Sequence, residues 1–256
     1  MATRWDAHGS TRSDYPPERS GATKAVEHLS RHETAAGIAI LQQHGSVTQI
    51  AEPQARFEAI AKSYALQPGN TLIVSPDNAS RREINEAVRE ELKTHGVVDA
   101  IDHQFTVLTP RSDMTGADRR WASRYEVGDI LRYQRGSKEL GLERGSYAEV
   151  IAVDPKGNLI MVQRDTGDIV SYDPARVRGI DAYRRAGKSF AIGDRLQMTA
   201  PYRDLDLPNR ALGTVEQIAN KRLTLRMDSG KTVTFDPHEM RHLDHGYAVT
   251  SHALRD

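Results

Sequence analysis

Hydrophobic positions along this chain follow two different periods, and the change between them divides it. Up to about residue 95 the apolar residues recur at helical spacing. Residues 35–43 (AAGIAILQQ) read as a helix stopped by His44-Gly45, and residues 52–64 place Phe57, Ile60, Ala61 and Tyr64 on one helical face. Residues 47–50 read as a short strand. The run Thr71-Leu72-Ile73-Val74-Ser75, set between turn formers, fits a buried parallel strand. After it Asp77, Asn78 and Ser80 offer capping side chains, Ser80 and Glu83 have the spacing of a capping box, and Ile84, Val88 and Leu92 recur up to a His95-Gly96 stop. Strand, polar turn and capped helix form half of an α/β unit. Such units recur too seldom here to build a complete doubly wound sheet.

Beyond residue 100 the period shortens. Residues 105–108 are a strand candidate, residues 115–125 read as a polar helix, and short strands follow in a block that occurs twice. The first copy opens Gly128-Asp129-Ile130-Leu131 and closes Gly167-Asp168-Ile169-Val170-Ser171-Tyr172-Asp173-Pro174; the second opens Gly193-Asp194-Arg195-Leu196 and closes Gly230-Lys231-Thr232-Val233-Thr234-Phe235-Asp236-Pro237. The offset is 65 residues at the front and 63 at the back, so the copies differ by a net deletion of two residues. Residues 158–163 and 222–227 each lead into a turn, Asp165-Thr166-Gly167 or Asp228-Ser229-Gly230, which is a hairpin signal. About 50 residues with several short strands suit a small SH3-like barrel.

Composition narrows the chemistry. The chain has no cysteine, which removes disulfides, thiolate nucleophiles and thiolate zinc sites together. No apolar run approaches the length of a membrane span, and the start has no signal-peptide core, so a cytoplasmic location without membrane insertion is expected. Lys plus Arg and Asp plus Glu number 35 each, which argues against a generally basic coat. Residues 176–203 nevertheless carry seven basic side chains (Arg176, Arg178, Arg184, Arg185, Lys188, Arg195, Arg203) against Asp181 and Asp194. Such a stripe can hold phosphates, or be an ordinary solvated linker.

Motifs with built-in chemistry are weak. Residues 182–189 end Gly187-Lys188-Ser189, a near match to a phosphate loop, but Phe190-Ala191-Ile192 runs on into the second copy, so this reads as a basic connector. His238-Glu239-Met240-Arg241-His242 spells H-E-x-x-H without room for its long helix, and surface or structural histidines are expected instead. Ser75 lacks the glycines of a nucleophile elbow. Asp173 and Asp236 precede proline in equivalent turns.

Two further stretches carry a resemblance. Residues 70–85 (NTLIVSPDNASRREIN) resemble helicase motif IV, and residues 245–252 (HGYAVTSH) resemble motif V, of conjugative relaxase-helicases of the F-plasmid transfer type, relatives of superfamily 1B helicases. Residues 116–129 also look like that family. There a strand-rich insertion in the second motor domain lies between these motifs, over the single-stranded DNA track. The resemblance thus implies an α/β fragment, a partial RecA-like motor domain, carrying two inserted SH3-like barrels: a disordered or weakly helical tail over 1–34, the partial motor domain over 35–125, barrels over 126–183 and 184–242, and a truncated motif V segment over 243–256. It also implies that Ser75, Asn78 and Arg81 of motif IV, with Tyr247, Thr250, Ser251 and His252 of motif V, touch DNA phosphates and relay nucleotide state. Arg184, Arg185 and Lys188 join them as DNA-binding candidates from the basic stripe.

Motifs I to III, motif VI and the relaxase residues of the family do not match here, and Ala253-Leu254-Arg255-Asp256 replaces the Ser-Gln-Gly step that continues motif V. The expected protein is therefore a truncated piece that contacts single-stranded DNA without nicking or ATPase chemistry of its own. It needs no metal or cofactor, whereas the full-length family uses ATP and magnesium. Two other readings stand beside it: a module recruiting conjugative transfer or secretion proteins, and a remnant without function.

Overall fold

The computed structural model describes residues 18–69 and 71–250, with side chains from residue 21 onward. It divides into two compact units, Met1–Arg56 and Phe57–Asp256. In the first, helices α1 (Glu18–Ser30) and α2 (Thr34–Gln43) form a hairpin around buried Ala25 and Gly37. A Cβ at Gly37 would lie 2.8 Å from Leu29 Cγ, so the close approach depends on glycine. The expected tail over 1–34 thus contains a formed helix from Glu18, and residues 1–17 lie outside the described residues. The strand expected over 47–50 is absent: that segment has no ladder partner, and Val47 is exposed. Helix α3 (Pro53–Leu66) contributes Phe57 and the residues after it to the second unit.

That unit holds a small α/β layer. Strand β1 (Ile73–Ser75) is followed by helix α4 (Asn78–Thr94), whose Ile84, Val88 and Leu92 pack with Ala61, Tyr64 and Ile73. The cap differs from the expected Ser80–Glu83 box. Asp77 holds extended backbone at the N-cap and accepts hydrogen bonds from Ser80 N and Ser80 Oγ, both at 2.8 Å, because a carboxylate there also meets the positive end of the helix dipole.

Strand β2 (His103–Pro110) leads to the duplicated region. Residues 115–125 do not form one helix: two 3-10 turns, Asp118–Arg120 and Ala122–Arg124, flank Trp121, which is extended. Asp118 takes the Thr115 N–H and hydroxyl, and the Tyr125 hydroxyl donates to Arg119 O, so side chains compete for the bonds a helix would need. The first copy comprises β3 (Ile130–Tyr133), β4 (Tyr147–Asp154), β5 (Leu159–Arg164), β6 (Ile169–Tyr172) and β7 (Ile180–Phe190). The second comprises β8 (Arg195–Met198), β9 (Leu212–Ala219), β10 (Arg222–Met227), β11 (Thr232–Phe235) and β12 (Leu243–His245). Strand β13 (Ala248–Thr250) then returns to pair in parallel with β1.

The two sheets have one topology. The first runs β7-β3-β4-β5-β6, with β2 added outside β7, and the second runs β12-β8-β9-β10-β11. Hydrogen bonds repeat at the sequence offset: Gly128 N to Val150 O (2.8 Å) matches Gly193 N to Val215 O (2.9 Å), and Gly167 N to Arg164 O matches Gly230 N to Met227 O. Both copies carry an irregularity where the second strand meets the third. Their cores correspond as well, with Leu131, Val150, Ile160, Val162 and Tyr172 answered by Leu196, Val215, Leu223, Leu225 and Phe235.

Closed barrels are not found; each copy is an open meander whose outer strands are not joined to each other among the described residues. The expected boundary at 183/184 falls inside β7. Residues 182–189, read above as a basic connector, are ladder residues facing β2 from His103↔Phe190 to Pro110↔Tyr183. Pairing with β2 on one edge and with β3 on the other makes that run a sheet strand.

Each copy opens on a buried aspartate. Asp129 accepts from Arg111 Nη1 at 2.6 Å and from Glu126 N at 2.9 Å. Asp194 accepts from Arg89 Nε at 2.8 Å, Ala191 N at 2.7 Å and the Tyr247 hydroxyl at 2.6 Å. Removing one member of a buried, hydrogen-bonded ion pair costs about 3–5 kcal/mol. Asp194→Ala is therefore expected to lower the denaturant midpoint of the second unit far more than Asp228→Ala, whose carboxylate is half exposed; equal midpoints for the two variants would refute the role given to Asp194.

Candidate nucleic-acid interface

Parallel pairing of β1 with β13 aligns Ile73↔Ala248, Val74↔Val249 and Ser75↔Thr250, so segments far apart in sequence share one edge. Asn85 locks them: its Nδ2 donates to His245 O at 3.1 Å and its Oδ1 accepts from Ala248 N at 2.7 Å. At this junction opens a cleft of about 300 Å³ lined by Asn78, Arg81 and Arg82 of α4, Thr250 of β13, Thr109 and Pro110 at the end of β2 with Ser112 after it, and Gln197, Met198, Thr199, Asn209, Arg210 and Asp244 of the second copy. No aromatic side chain lines it, and Asp244 is its one acid.

That acid is already spent. Asp244 accepts from Arg81 Nη2 at 2.9 Å and from Lys188 Nζ. Burial raises its pKa, but the Lys188 and Arg81 charges outweigh burial and hold the carboxyl below its ordinary value. Two cations on that one carboxylate, with exposed Arg82 beside them, leave the cleft a positive excess. Neutral hydroxyl and amide groups surround them, and these are donors suited to phosphate oxygens.

The residues singled out from the sequence separate into groups. Asn78, Arg81 and Thr250 line the cleft together. Ser75 is fully buried, and its hydroxyl donates to Asp77 O at 3.1 Å. Tyr247 is buried with its hydroxyl on Asp194, where burial and that charge push the phenol pKa up. Arg184 pairs with Glu126, Arg185 with Glu149 at 2.8 Å, and Lys188 with Asp244, so much of the basic stripe is neutralised by cross-strand acids. Ser251 and His252 lie outside the described residues. Arg82, Arg210, Gln197 and Asn209 were missed. Arg82 could have been found beside Arg81, whereas the others are drawn in only by the docking of the second copy.

The histidines serve packing. His238 is exposed while His242 is buried, 2.7 Å from the Tyr147 hydroxyl and edge-on to Tyr183, so the H-E-x-x-H pair does not converge. His245 stacks near Tyr247 and meets Phe190 edge-on. Among the described residues no group of histidines and acids could hold a metal ion, and no helix is long and apolar enough to cross a membrane.

No protein-family model and no curated protein matches the chain. Among solved structures, unliganded Pif1 from Bacteroides sp is 12% identical over 73% of this chain and 44% of its own, with a TM-score of 0.18. The Bacteroides Pif1 helicase in complex with ADP-AlF3 and ssDNA is 12% identical over 80% of this chain and 40% of its own, with a TM-score of 0.19. The chain thus spans about two fifths of the length of these proteins. At such TM-scores the likeness carries no argument for fold or function.

Burial, followed by the charges of Arg132 and Arg241, lowers the His242 pKa to about 4, and burial likewise lowers that of His245 to about 4. Both rings are neutral in the folded chain, while the unfolded chain takes up their protons near pH 6.5. Folding stability is thus full above pH 6.5 and is lost as pH falls toward 4. The melting temperature should drop through that window, and His242→Phe should flatten the drop; an unchanged slope would contradict the assignment.

Proposed function

We propose that this chain is a strand-guiding part of a helicase-type motor of the conjugative relaxase-helicase kind, holding the phosphate backbone of single-stranded DNA in the cleft between α4, β13 and the second copy. The observation that carries the reading is the parallel β1–β13 pair. It brings the motif IV-like and motif V-like segments to one edge, with Asn78, Arg81, Arg82 and Thr250 on one cleft. A groove that is basic, rich in hydroxyl and amide donors and free of aromatics favours a phosphate backbone over a peptide. In this reading the two open sheets are SH3-like insertions, of which the second forms one wall of the track, and the chemistry of ATP hydrolysis and nicking is supplied by other parts of such a motor.

A second reading, docking of a transfer or secretion protein, is favoured by one surface. Leu159, Met161 and Ile169 are exposed on β5 and β6, where the second copy has Arg222, Thr224 and Thr232. The first reading accounts for the cleft and the second does not.

Fluorescence anisotropy with a labelled oligothymidylate at low salt tests it. Binding with a Kd of roughly 1–100 μM is expected, weakening steeply with salt. Arg82→Glu, an exposed change, should weaken it at least about fivefold and reduce the salt slope by about one phosphate contact. No anisotropy change at tens of micromolar protein, or full binding by the variant, would dismiss the reading.

A further inference from the structure

The duplicated sheets share a skeleton but have diverged at one corner. In the second copy His242 ends the link that follows the Asp-Pro turn, and its ring packs against Tyr147 and Tyr183. The equivalent residue of the first copy, at the offset of 63, is Gly179, with no side chain and φ +74°. A Cβ at Gly179 would meet Gln134 and Arg135, and a recess of about 480 Å³ opens beside this turn, with Gly179 in its wall. Its walls are Arg178 and Gly179 on one side, and Gly116, Arg119 and Arg120 from the segment before the first copy on the other.

The recess is cationic by composition: three arginines line it and no acid does. Arg119 is held in place, with Nη1 donating to Ile180 O at 3.1 Å and to Asp181 at 2.9 Å. Its Nε is buried and has no hydrogen-bond partner, a donor left over at a site otherwise well satisfied. Arg120 and Arg178 are exposed and enter no salt bridge among the described residues, unlike Arg184, Arg185 and Arg195, which are matched by acids. Two exposed guanidinium groups without a matching acid give the recess a local positive excess that an anion can meet.

We propose that this recess is an anion site that takes a phosphate group, clamped by Arg119, Arg120 and Arg178. Arginine suits this chemistry because its planar fork pairs with two phosphate oxygens at once. The phosphate can come from a free polyphosphate or nucleotide tail or from a nucleic-acid strand; the chemistry is shared, and the sources are separable. The site does not depend on the cleft that holds Arg82, with which it shares no lining residue.

Isothermal titration of the full chain with inorganic tripolyphosphate, and separately with oligothymidylate, tests the inference at low salt. Tripolyphosphate is expected to bind, and Arg120→Glu and Arg178→Glu are each expected to weaken it about tenfold or more, with the melting temperature held. Arg222→Glu, an exposed change on β10 at a residue that lines neither the recess nor the cleft, serves as the control and should leave tripolyphosphate binding unchanged. If oligothymidylate binding also falls in the Arg120 and Arg178 variants, the natural phosphate belongs to a strand; if it does not, a free polyphosphate or nucleotide is the ligand. No tripolyphosphate binding at millimolar concentration, or full binding by the Arg120 and Arg178 variants, would overturn the site, and Arg82→Glu with oligothymidylate reports on the cleft separately.

Discussion

The carboxylate of Asp194 is the point on which the second unit turns. It is fully buried, and a buried charge survives only when paired and hydrogen-bonded. Its partners come from three places: Arg89 on helix α4, Tyr247 before β13, and the backbone of Ala191 in the link from β7. Helix, returning strand and second sheet are therefore fixed to one another through one side chain. Gly193 makes this possible. At φ +89° it bends the link, and a Cβ there would lie 2.2 Å from Val97 O. Arg89 also reaches Asp102, so burial, which alone would lower the guanidinium pKa, is outweighed by its two acids.

Asp129 plays the matching part in the first copy, with Arg111 as its cation. Duplication has thus preserved the opening aspartate and the hydrogen-bond skeleton, each aspartate finding its own arginine outside the copy, while side chains away from them have changed. Tyr133 and Tyr172 share a buried hydroxyl contact of 2.7 Å where the second copy has Met198 and Phe235. Gly179 stands against His242, and Leu159 against Arg222. A common frame with unlike surfaces is what lets one copy form a wall of the cleft while the other presents an open, arginine-lined recess.

Features set by local chemistry were legible in the sequence. The parallel strand at Ile73–Ser75, the helix through Ile84, Val88 and Leu92, both Asp-Gly hairpins and the duplication itself follow from period, capping and turn residues over short windows. What escaped was set by distance. Ser80 has the spacing of a cap, but the carboxylate of Asp77 wins the helix N-terminus. The stripe around Arg184, Arg185 and Lys188 looks free in sequence because its acids, Glu126, Glu149 and Asp244, lie 36 to 58 residues away. The barrels expected from strand count are open sheets, and β7, expected to end the first copy, continues as a ladder with β2 from a segment before it. The ties of Asn85 to His245 and Ala248 and of Arg89 to Asp194 gave no local signal, since those partners are 105 to 163 residues distant.

The central claim is that a strand lies in the cleft where the two motif-like segments meet. Hydrogen–deuterium exchange of the full chain with and without saturating oligothymidylate addresses it most directly. The account predicts slowed exchange confined to residues 78–82, 109–112, 197–199 and 250, with the outer face of β5 and β6 unchanged. Protection of the β5 and β6 face with none at α4 and β13 would contradict it.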